Sequence, residues 1–247
     1  MREKYDAKDP ASEKLRIFAF TAGSSLTAQQ AMNNVVRTSI EMMAAALGGI
    51  QTMHVSAFDE ALGVPTEEAA TLALRTQQVV AFETGVLDSP DPLAGSFELE
   101  RMTDDLEREI WELLANIEKR GGALECVNNG YFVNEISENS YKLTMAIESG
   151  EKKVVGVNAF QSESAPFKPF EINPKSESEQ VASLKAVRAK RDNKAVTAAL
   201  ENLLTVAKAG ENVVPATVEA IKAYATVGEI VNELRKVYGK WQPTKIF

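Results

Sequence analysis

Cysteine and histidine are nearly absent from this sequence of 247 residues, which contains one of each, Cys126 and His54. A single cysteine excludes an internal disulfide and any metal cluster built from several cysteines. We therefore expect Cys126 to be a small, buried hydrophobic residue, and we predict no metal site. A lone histidine at the end of a strand is more often a hydrogen-bonded structural residue than a catalyst, so we assign no proton transfer to His54.

Long apolar runs and an excess of basic residues are also lacking. No segment approaches the roughly 18 consecutive apolar residues that a membrane helix requires. The opening residues, MREKYD, hold no apolar core of the kind found in signal peptides. The net charge of −8 disfavours nucleic acid and acidic membranes as partners, because neutralising phosphates needs a basic surface. We expect a cytoplasmic protein that binds neither.

The first third of the chain alternates between strand and helix patterns. Residues 15–20 form an apolar run typical of a buried parallel strand, and a turn follows it. Residues 50–55 repeat the pattern, and the loop over 56–65 leads to a helix that Thr66 can cap. Between the strands, apolar residues recur at helical spacing until a Gly-Gly pair at 48–49: Ala31, Val35, Val36, Ile40, Met43 and Leu47. This alternation predicts an α/β fold, either a βα barrel or a doubly wound sheet.

The remainder of the chain is predicted to be mostly helical. After the helix that Gly85 closes, we predict helices from Thr103, with Thr103 and Asp104 as candidate caps, to a Gly-Gly pair at 121–122, and over 133–149. We then predict a third strand over 153–158 and helices over 179–191, 194–208 and 215–238. Three prolines among polar residues mark 161–178 as a linker. The predicted domains are therefore a partial barrel over 1–160, a linker over 161–178 and a helical segment over 179–247.

The number of predicted strands limits how much of a barrel this chain can form. An eight-stranded barrel needs about 250 residues, and only three strands are predicted, all before residue 160. An open part of a barrel would leave strand edges and apolar faces exposed, which soluble proteins avoid. We therefore expect a partner chain to supply the rest.

Several motifs give the sequence a family resemblance. They are TAGSSLTAQQ from Thr21, NN and RT in the following helix, GG-x-Q-x-x-H and FDEALG around the second strand, and then LRTQQ, FE-x-G and DPLAGS. In this order and at this spacing they closely resemble the large subunit of adenosylcobalamin-dependent acyl-CoA mutases, the methylmalonyl-CoA mutase family. The resemblance covers residues 8–158 and continues more weakly to residue 239.

The resemblance implies the later part of a TIM (β/α)8 barrel followed by a linker and a helical arm. It implies a subunit of a split mutase that catalyses radical isomerisation of the carbon skeleton of an acyl-CoA with adenosylcobalamin. The earlier strands would come from a partner chain. The cobalamin domain would come from a small subunit, because the D-x-H-x-x-G motif of that domain is absent from this sequence. The isolated chain would then be inactive. Two alternatives are a non-catalytic paralogue that stabilises or regulates a mutase and a chain cut from a longer gene.

The resemblance also implies cofactor-binding residues. Gly23, Glu60 and Gly63 match positions that contact the corrin, and Gln51 matches a polar residue near the adenosyl group and the substrate. Glu60 could instead be an exposed loop acid or the cap of a turn. Residues that act at the reacting carbon belong to the absent part of the barrel, so no catalytic residue is assigned. We expect nearby Asn33, Asn34 and Arg37 to make structural hydrogen bonds.

The first strand departs from the family pattern, R-x-H-x-Q-T-[SA]-G. The chain has phenylalanines at the two polar positions, and alternation places Arg16, Phe18 and Phe20 on one face, which in the family points into the cavity. With Gln51 and His54 they would form the substrate pocket. A polar acyl group would lose hydrogen-bond partners there, so we predict a bulkier or more apolar acyl group than methylmalonyl. Aromatic packing in a paralogue that has lost catalysis is the alternative.

Overall fold

A computed structural model describes residues 2–163 and 167–242, and within these ranges the protein is mostly helical with one small sheet. The first compact unit reaches Phe170, and the second begins at Glu171. The first unit contains the strands β1 (Phe18–Phe20) and β2 (Thr52–His54) and six helices, namely α1 (Arg2–Tyr5), α2 (Asn33–Leu47), α3 (Glu67–Glu83), α4 (Phe97–Lys119), α5 (Ala123–Asn128) and α6 (Tyr131–Glu148). The second contains α7 (Ser176–Lys190), α8 (Asn193–Lys208), α9 (Val213–Lys222) and α10 (Val227–Tyr238).

The two strands are parallel and joined by α2. Phe18 is in register with Thr52, and Phe20 with His54. The arrangement confirms the predicted α/β character and the presence of the first two strands, which are shorter than predicted. The expectation that the first strand is buried is wrong, because Phe18 and Phe20 are exposed. The partial (β/α)8 barrel stays a prediction, because two strands do not define a barrel.

Local signals in the sequence explain the ends of α2 and α3. Gly49 takes a φ of 77° just after α2, a conformation that favours glycine, and so ends the helix where predicted. Thr66 caps α3, with its hydroxyl oxygen accepting a hydrogen bond from the backbone N–H of Ala69 over 3.3 Å. The core between these helices and the loop after β2 is formed by Val55, Ala57, Phe58, Ala69 and Ala73, with Ala31, Val35, Met42 and Leu72 packed against them.

The predicted third strand is wrong, because residues 153–158 fold back on themselves as a turn. The Asn158 side chain accepts a hydrogen bond from the backbone N–H of Val154 over 2.6 Å and donates to the carbonyl oxygens of Lys152 and Ile147. Gly156 takes a φ of 84° inside this turn. A single bridge, between Val155 and Ala159, replaces the expected strand pairing.

Several helix boundaries also differ from the sequence prediction. The short helix α5 was not predicted, and α7 begins at Ser176, inside the predicted linker over 161–178. α4 begins six residues before Thr103, at Phe97, so Thr103 and Asp104 lie inside the helix rather than at its cap. The predicted helix over 215–238 is two helices, α9 and α10. They are separated where Tyr224 takes a φ of 64°, and Thr226 and Glu229 form a capping box that begins α10.

The second unit has its own small core. Leu203 from α8, Ala216 and Ala220 from α9, and Ile230 from α10 pack together. Arg191, just before α8, pairs with Glu229 of α10 over 2.6 Å, and the Arg191 side chain is 7% exposed. This hydrogen bond, more than any other influence, holds the pKa of Glu229 at about 2, below its usual value of 4.5.

Candidate functional site

The two phenylalanines of β1 lie on the exposed face of the sheet. The side chains of Ala19 and Met53 are half-buried, whereas Phe18, Phe20, Thr52 and His54 are exposed, as alternation along paired strands requires. Phe18 is 58% exposed and Phe20 is 65% exposed. Their rings meet edge to face, with centroids 5.2 Å apart and planes at 87°. This face is therefore an aromatic surface that no described residue covers.

Gln51 lies at the opposite end of β2 from the loops that follow the strands. Its Oε1 accepts a hydrogen bond from the backbone N–H of Ile17 over 2.7 Å, and its Nε2 donates to the carbonyl oxygen of Gly49 over 2.8 Å. The side chain of Arg16, just before β1, is exposed. Neither residue is brought together with Gly23, Glu60 or Gly63.

The loops at the carboxyl ends of β1 and β2 are fastened to each other by buried polar groups. The backbone N–H of Thr21 donates to the carbonyl oxygen of His54 over 3.1 Å, and the N–H of Ser56 donates to the Thr21 hydroxyl over 2.8 Å. Thr21 is 3% exposed and Ser56 is 6% exposed. Because these bonds are shielded from water, they fix how the two loops lie relative to each other.

Asn34 adds a second connection between these loops. Its amide donates to the carbonyl oxygens of Phe58, over 2.8 Å, and Thr27, over 2.9 Å, while its Oδ1 accepts from the backbone N–H of Thr27. Arg37 donates to the same Oδ1 over 2.7 Å. The expectation that Asn33, Asn34 and Arg37 make structural hydrogen bonds is confirmed, since Asn33 also donates to Gln30.

Asp59 and Glu60 are neighbours with different surroundings. Asp59 is buried, and its Oδ2 accepts hydrogen bonds from the backbone N–H and the hydroxyl of Thr66, each over 2.9 Å. Its Oδ1 is buried and has no partner in the described part of the chain. Glu60 is exposed; its Oε1 accepts from the backbone N–H of Ala57 over 2.8 Å. Glu60 thus closes a turn, as one alternative expected, and its Oε2 accepts no hydrogen bond within the described ranges.

The two candidate glycines face open space. No atom lies within 4 Å of the position that a Cβ would take at Gly23, and at Gly63 only the Cβ of Pro169 comes as close as 4.0 Å. Both glycines are exposed and lie in the loops after β1 and β2, respectively. Gly23, Glu60 and Gly63 are therefore in loops at the same end of the sheet, each with free surface for a bound group.

This arrangement can bind and orient a ligand but contains no recognisable catalytic pair. Within residues 2–163 and 167–242, no group of three or more His, Cys, Asp or Glu side chains could hold a metal ion. In the same ranges no helix has both the length and the apolar character needed to cross a membrane. His54 offers an imidazole on the exposed sheet face, and no described side chain bonds to it.

Sequence reasoning missed the residues that hold the site together. Thr21 and Asp59 fall within the motifs TAGSS and FDEALG, but neither was singled out. Thr21 acts through a contact with Ser56, which is 35 residues away in the sequence. Asp59 acts through a contact with Thr66, which is seven residues away. The one available signal was that Asp59 directly follows two apolar residues, Ala57 and Phe58.

Comparisons with known proteins place these features in a family. The family model described as methylmalonyl-CoA mutase matches residues 1–240. The 2-hydroxyisobutanoyl-CoA mutase large subunit of Aquincola tertiaricarbonis is 41% identical, over 100% of this chain and 44% of the relative. The methylmalonyl-CoA mutases of Cereibacter sphaeroides and Escherichia coli K12 are 40% and 39% identical, each over 96% of this chain and 34% of the relative. The chain spans less than half the length of these relatives, and it belongs to the methylmalonyl-CoA mutase family.

Proposed function

We propose that this chain contributes the cofactor-facing loops of an adenosylcobalamin-dependent acyl-CoA mutase that acts in the cytoplasm. One observation supports the proposal: hydrogen bonds of Thr21, Ser56 and Asn34 connect the loops after β1 and β2. A rigid pair of loops at the carboxyl ends of parallel strands is where barrel enzymes bind ligands. Membership of the mutase family supports an isomerase reaction on an acyl-CoA.

The residues present fit a large planar cofactor. Gly23 and Gly63 leave open space where a side chain would otherwise stand, so a broad ring could approach the backbone of both loops. Glu60 keeps one carboxylate oxygen free to accept hydrogen bonds from amide groups on the ring's rim. When bound, adenosylcobalamin supplies the organic radical that starts the carbon-skeleton rearrangement. The work of this chain is to hold and orient the cofactor and to exclude water.

The remaining strands of the barrel and the cobalamin domain come, in this proposal, from partner chains. Within the described ranges the sheet has two strands, so each strand keeps one edge unpaired. Parallel sheets are stable when both faces and edges are covered. The chain spans 44% of the Aquincola relative, which is itself named a large subunit. The alternative, in which the missing part lies in a longer form of the same polypeptide, is decided by the first experiment below.

The acyl group is proposed to be bulkier or more apolar than methylmalonyl. Phe18 and Phe20 present aromatic surface on the sheet face, together with His54, and the free carboxylate of a methylmalonyl group would find few hydrogen-bond donors on the two rings. The Aquincola relative is named for 2-hydroxyisobutanoyl-CoA, whose acyl group carries no free carboxylate. Arg16 and Gln51 complete the proposed pocket only if the assembled enzyme reshapes this end of the sheet.

A non-catalytic paralogue is the second candidate. The edge-to-face contact between Phe18 and Phe20 favours it, because aromatic side chains that pack on each other can fill a cavity instead of opening it. In that case the chain would stabilise or regulate a complete mutase. The two candidates differ in whether a cobalamin-loaded assembly containing this chain turns over an acyl-CoA.

Native mass spectrometry of the protein purified from its host is the first experiment. A mass equal to this chain plus a chain with the remaining barrel strands and a cobalamin-binding small subunit supports the split mutase. A single longer polypeptide that contains this sequence shows that the missing strands lie in the same chain. A stable homo-oligomer without cofactor contradicts the proposal and favours the paralogue.

The affinity of the assembled protein for cobalamin tests the proposed cofactor-binding residues. Gly63→Leu is expected to weaken binding by about tenfold or more, because the new side chain would occupy the space proposed for the ring. Gly228→Leu is the matched control, since Gly228 also faces open space but lies in α10 of the second unit. Equal cobalamin affinity in both variants and the unmodified protein would show that the residue assignment is wrong.

A further inference from the structure

A cavity of about 510 Å³ lies in the first unit between α2, α6, the loop after β1 and the turn that replaces the predicted third strand. This volume falls within the range of small-molecule sites. Part of its wall is apolar and consists of Ile40, Leu143, Ile147, Val154 and Val157. Ser24, Ser25 and Thr27 of the loop after β1 line it, but Gly23, Glu60 and Gly63 do not, so the cavity adjoins one proposed cofactor loop without including the three proposed cofactor-binding residues.

Two positive groups line the same cavity without a carboxylate partner. Arg37 donates to three neutral oxygens, those of the Thr27 hydroxyl, the Asn34 amide and the Val155 carbonyl, over 3.0, 2.7 and 2.8 Å. The ammonium of Lys152 makes no hydrogen bond or ion pair within the described residues. A guanidinium and an ammonium that are not hydrogen-bonded to any carboxylate favour an anionic ligand.

The cavity is also lined by one acidic residue, so its two cations exceed its carboxylate by one charge. This residue is Glu41, and its Oε2 accepts a hydrogen bond from the backbone N–H of Ala22 over 2.7 Å. A second cavity of about 410 Å³ shares Arg37 and Val154 and is lined by Lys153. Arg37, Lys152 and Lys153 thus place three positive charges at two adjoining cavities, although the net charge of the chain is −8.

We propose that the larger cavity binds an organic anion with an apolar body. The carboxylate or phosphate of such a ligand would accept hydrogen bonds from Arg37 and Lys152. Its hydrocarbon part would bury against the wall that Leu143 and Ile147 form. Arg37 is held in place by its three hydrogen bonds, so little side-chain freedom is lost on binding. The inference does not depend on the proposed mutase function, because it needs neither cofactor nor partner chain.

Isothermal titration calorimetry of the full chain, purified with whatever chains accompany it, tests this site. The probes are hexanoate, hexyl phosphate, inorganic phosphate and hexylamine. We expect saturable binding of hexanoate or hexyl phosphate, weaker binding of inorganic phosphate and none of hexylamine. The tighter of the two hexyl compounds identifies the head group. Failure of both to bind overturns the proposal.

Matched variants distinguish the cavity from other apolar surface. Lys152→Gln is expected to weaken binding of the preferred hexyl anion by about tenfold, whereas Lys153→Gln leaves it unchanged. Leu143→Gln should weaken the hexyl anion while sparing inorganic phosphate, and Leu124→Gln, on the exposed helix α5, should affect neither. Unchanged affinity in Lys152→Gln, or inorganic phosphate binding as tightly as the hexyl anion, overturns the inference.

Discussion

Asn34 donates a hydrogen bond to the carbonyl oxygen of Phe58 over 2.8 Å, and this bond joins the start of α2 to the loop after β2. The same side chain holds the loop after β1 through both backbone polar groups of Thr27. One buried amide thus fixes the two loops that carry Gly23 and Glu60. A short side chain from a helix determines the geometry of the candidate site.

Replacing Asn34 tests this relationship. Asn34→Ala leaves the buried carbonyl of Phe58 without its donor, so we expect the free energy of unfolding to fall by about 2–3 kcal/mol. Asn33→Ala is the control, because Asn33 is half-buried and donates only to Gln30; its loss should stay below about 1 kcal/mol. Urea unfolding gives both values, and hydrogen exchange of peptides from residues 21–60 locates the change. Similar losses for the two variants would contradict the role of Asn34.

Asp59 is predicted to stabilise the loop after β2 by accepting hydrogen bonds from Thr66. Asp59→Ala removes the charged acceptor at the start of α3, and we expect a loss of about 2 kcal/mol in the free energy of unfolding. Glu67→Ala removes an exposed acid from the first turn of the same helix and should cost less than about 1 kcal/mol. If thermal unfolding ranks the variants in the opposite order, the stabilising contact has been assigned wrongly.

The ion pair of Arg191 and Glu229 predicts acid sensitivity of the second unit. Because the folded-state pKa of Glu229 is about 2 and its usual value is 4.5, the stabilisation is complete above 4.5 and is lost as the pH falls towards 2. Glu229→Gln should lower stability at neutral pH and flatten its dependence on pH in this window. Glu219→Gln, at an exposed surface pair with Lys222, should keep the wild-type dependence. Hydrogen exchange of α8 and α10 across this range measures the effect.

If the proposed mutase function is right, the aromatic face of β1 is expected to influence which acyl-CoA the assembled enzyme prefers. Phe18→His combined with Phe20→Gln restores the polar side chains of the family pattern. We expect the ratio of kcat/KM for methylmalonyl-CoA to that for 2-hydroxyisobutanoyl-CoA to rise by about tenfold or more. Phe82→His with Phe97→Gln changes two exposed phenylalanines outside the sheet and should leave the ratio unchanged. An unaltered ratio in the first double variant would remove the support for an apolar acyl group.

The parts of the fold that follow local chemistry were predictable from the sequence. Thr66 and the Gly-Gly pair at 48–49 set the boundaries of α3 and α2 through hydrogen bonds and dihedral angles within a few residues. The apolar run over 153–158 was misleading, because Asn158 supplies hydrogen bonds that a neighbouring strand would otherwise provide. Tyr224 breaks the last predicted helix through a φ of 64°, which is uncommon for tyrosine. The pattern T-x-x-E at Thr226 and Glu229 was the available signal for a new helix start, and the prediction did not use it.

The candidate site was only partly predictable. Alternation in β1 placed Phe18 and Phe20 on one face, and the motifs singled out Gly23, Glu60 and Gly63, whose proposed roles stay predictions. The connection between the loops depends on the contact of Thr21 with Ser56, and Asp59 joins the loop after β2 to Thr66; these partners lie 35 and seven residues apart. A single sequence does not reveal such pairs, because hydrogen bonding of a buried polar group depends on what the fold brings beside it.

The strands β1 and β2 are three residues long, and this brevity has a consequence for how the protein is made in cells. So short a parallel pair contributes little stability alone, and parallel pairing forms slowly because its contacts are far apart in sequence. In the proposed split mutase, we expect the yield of this chain to depend on the supply of the partner chain that extends the sheet. Production and assembly would then be matched, since chains synthesised in excess would be degraded before they accumulate.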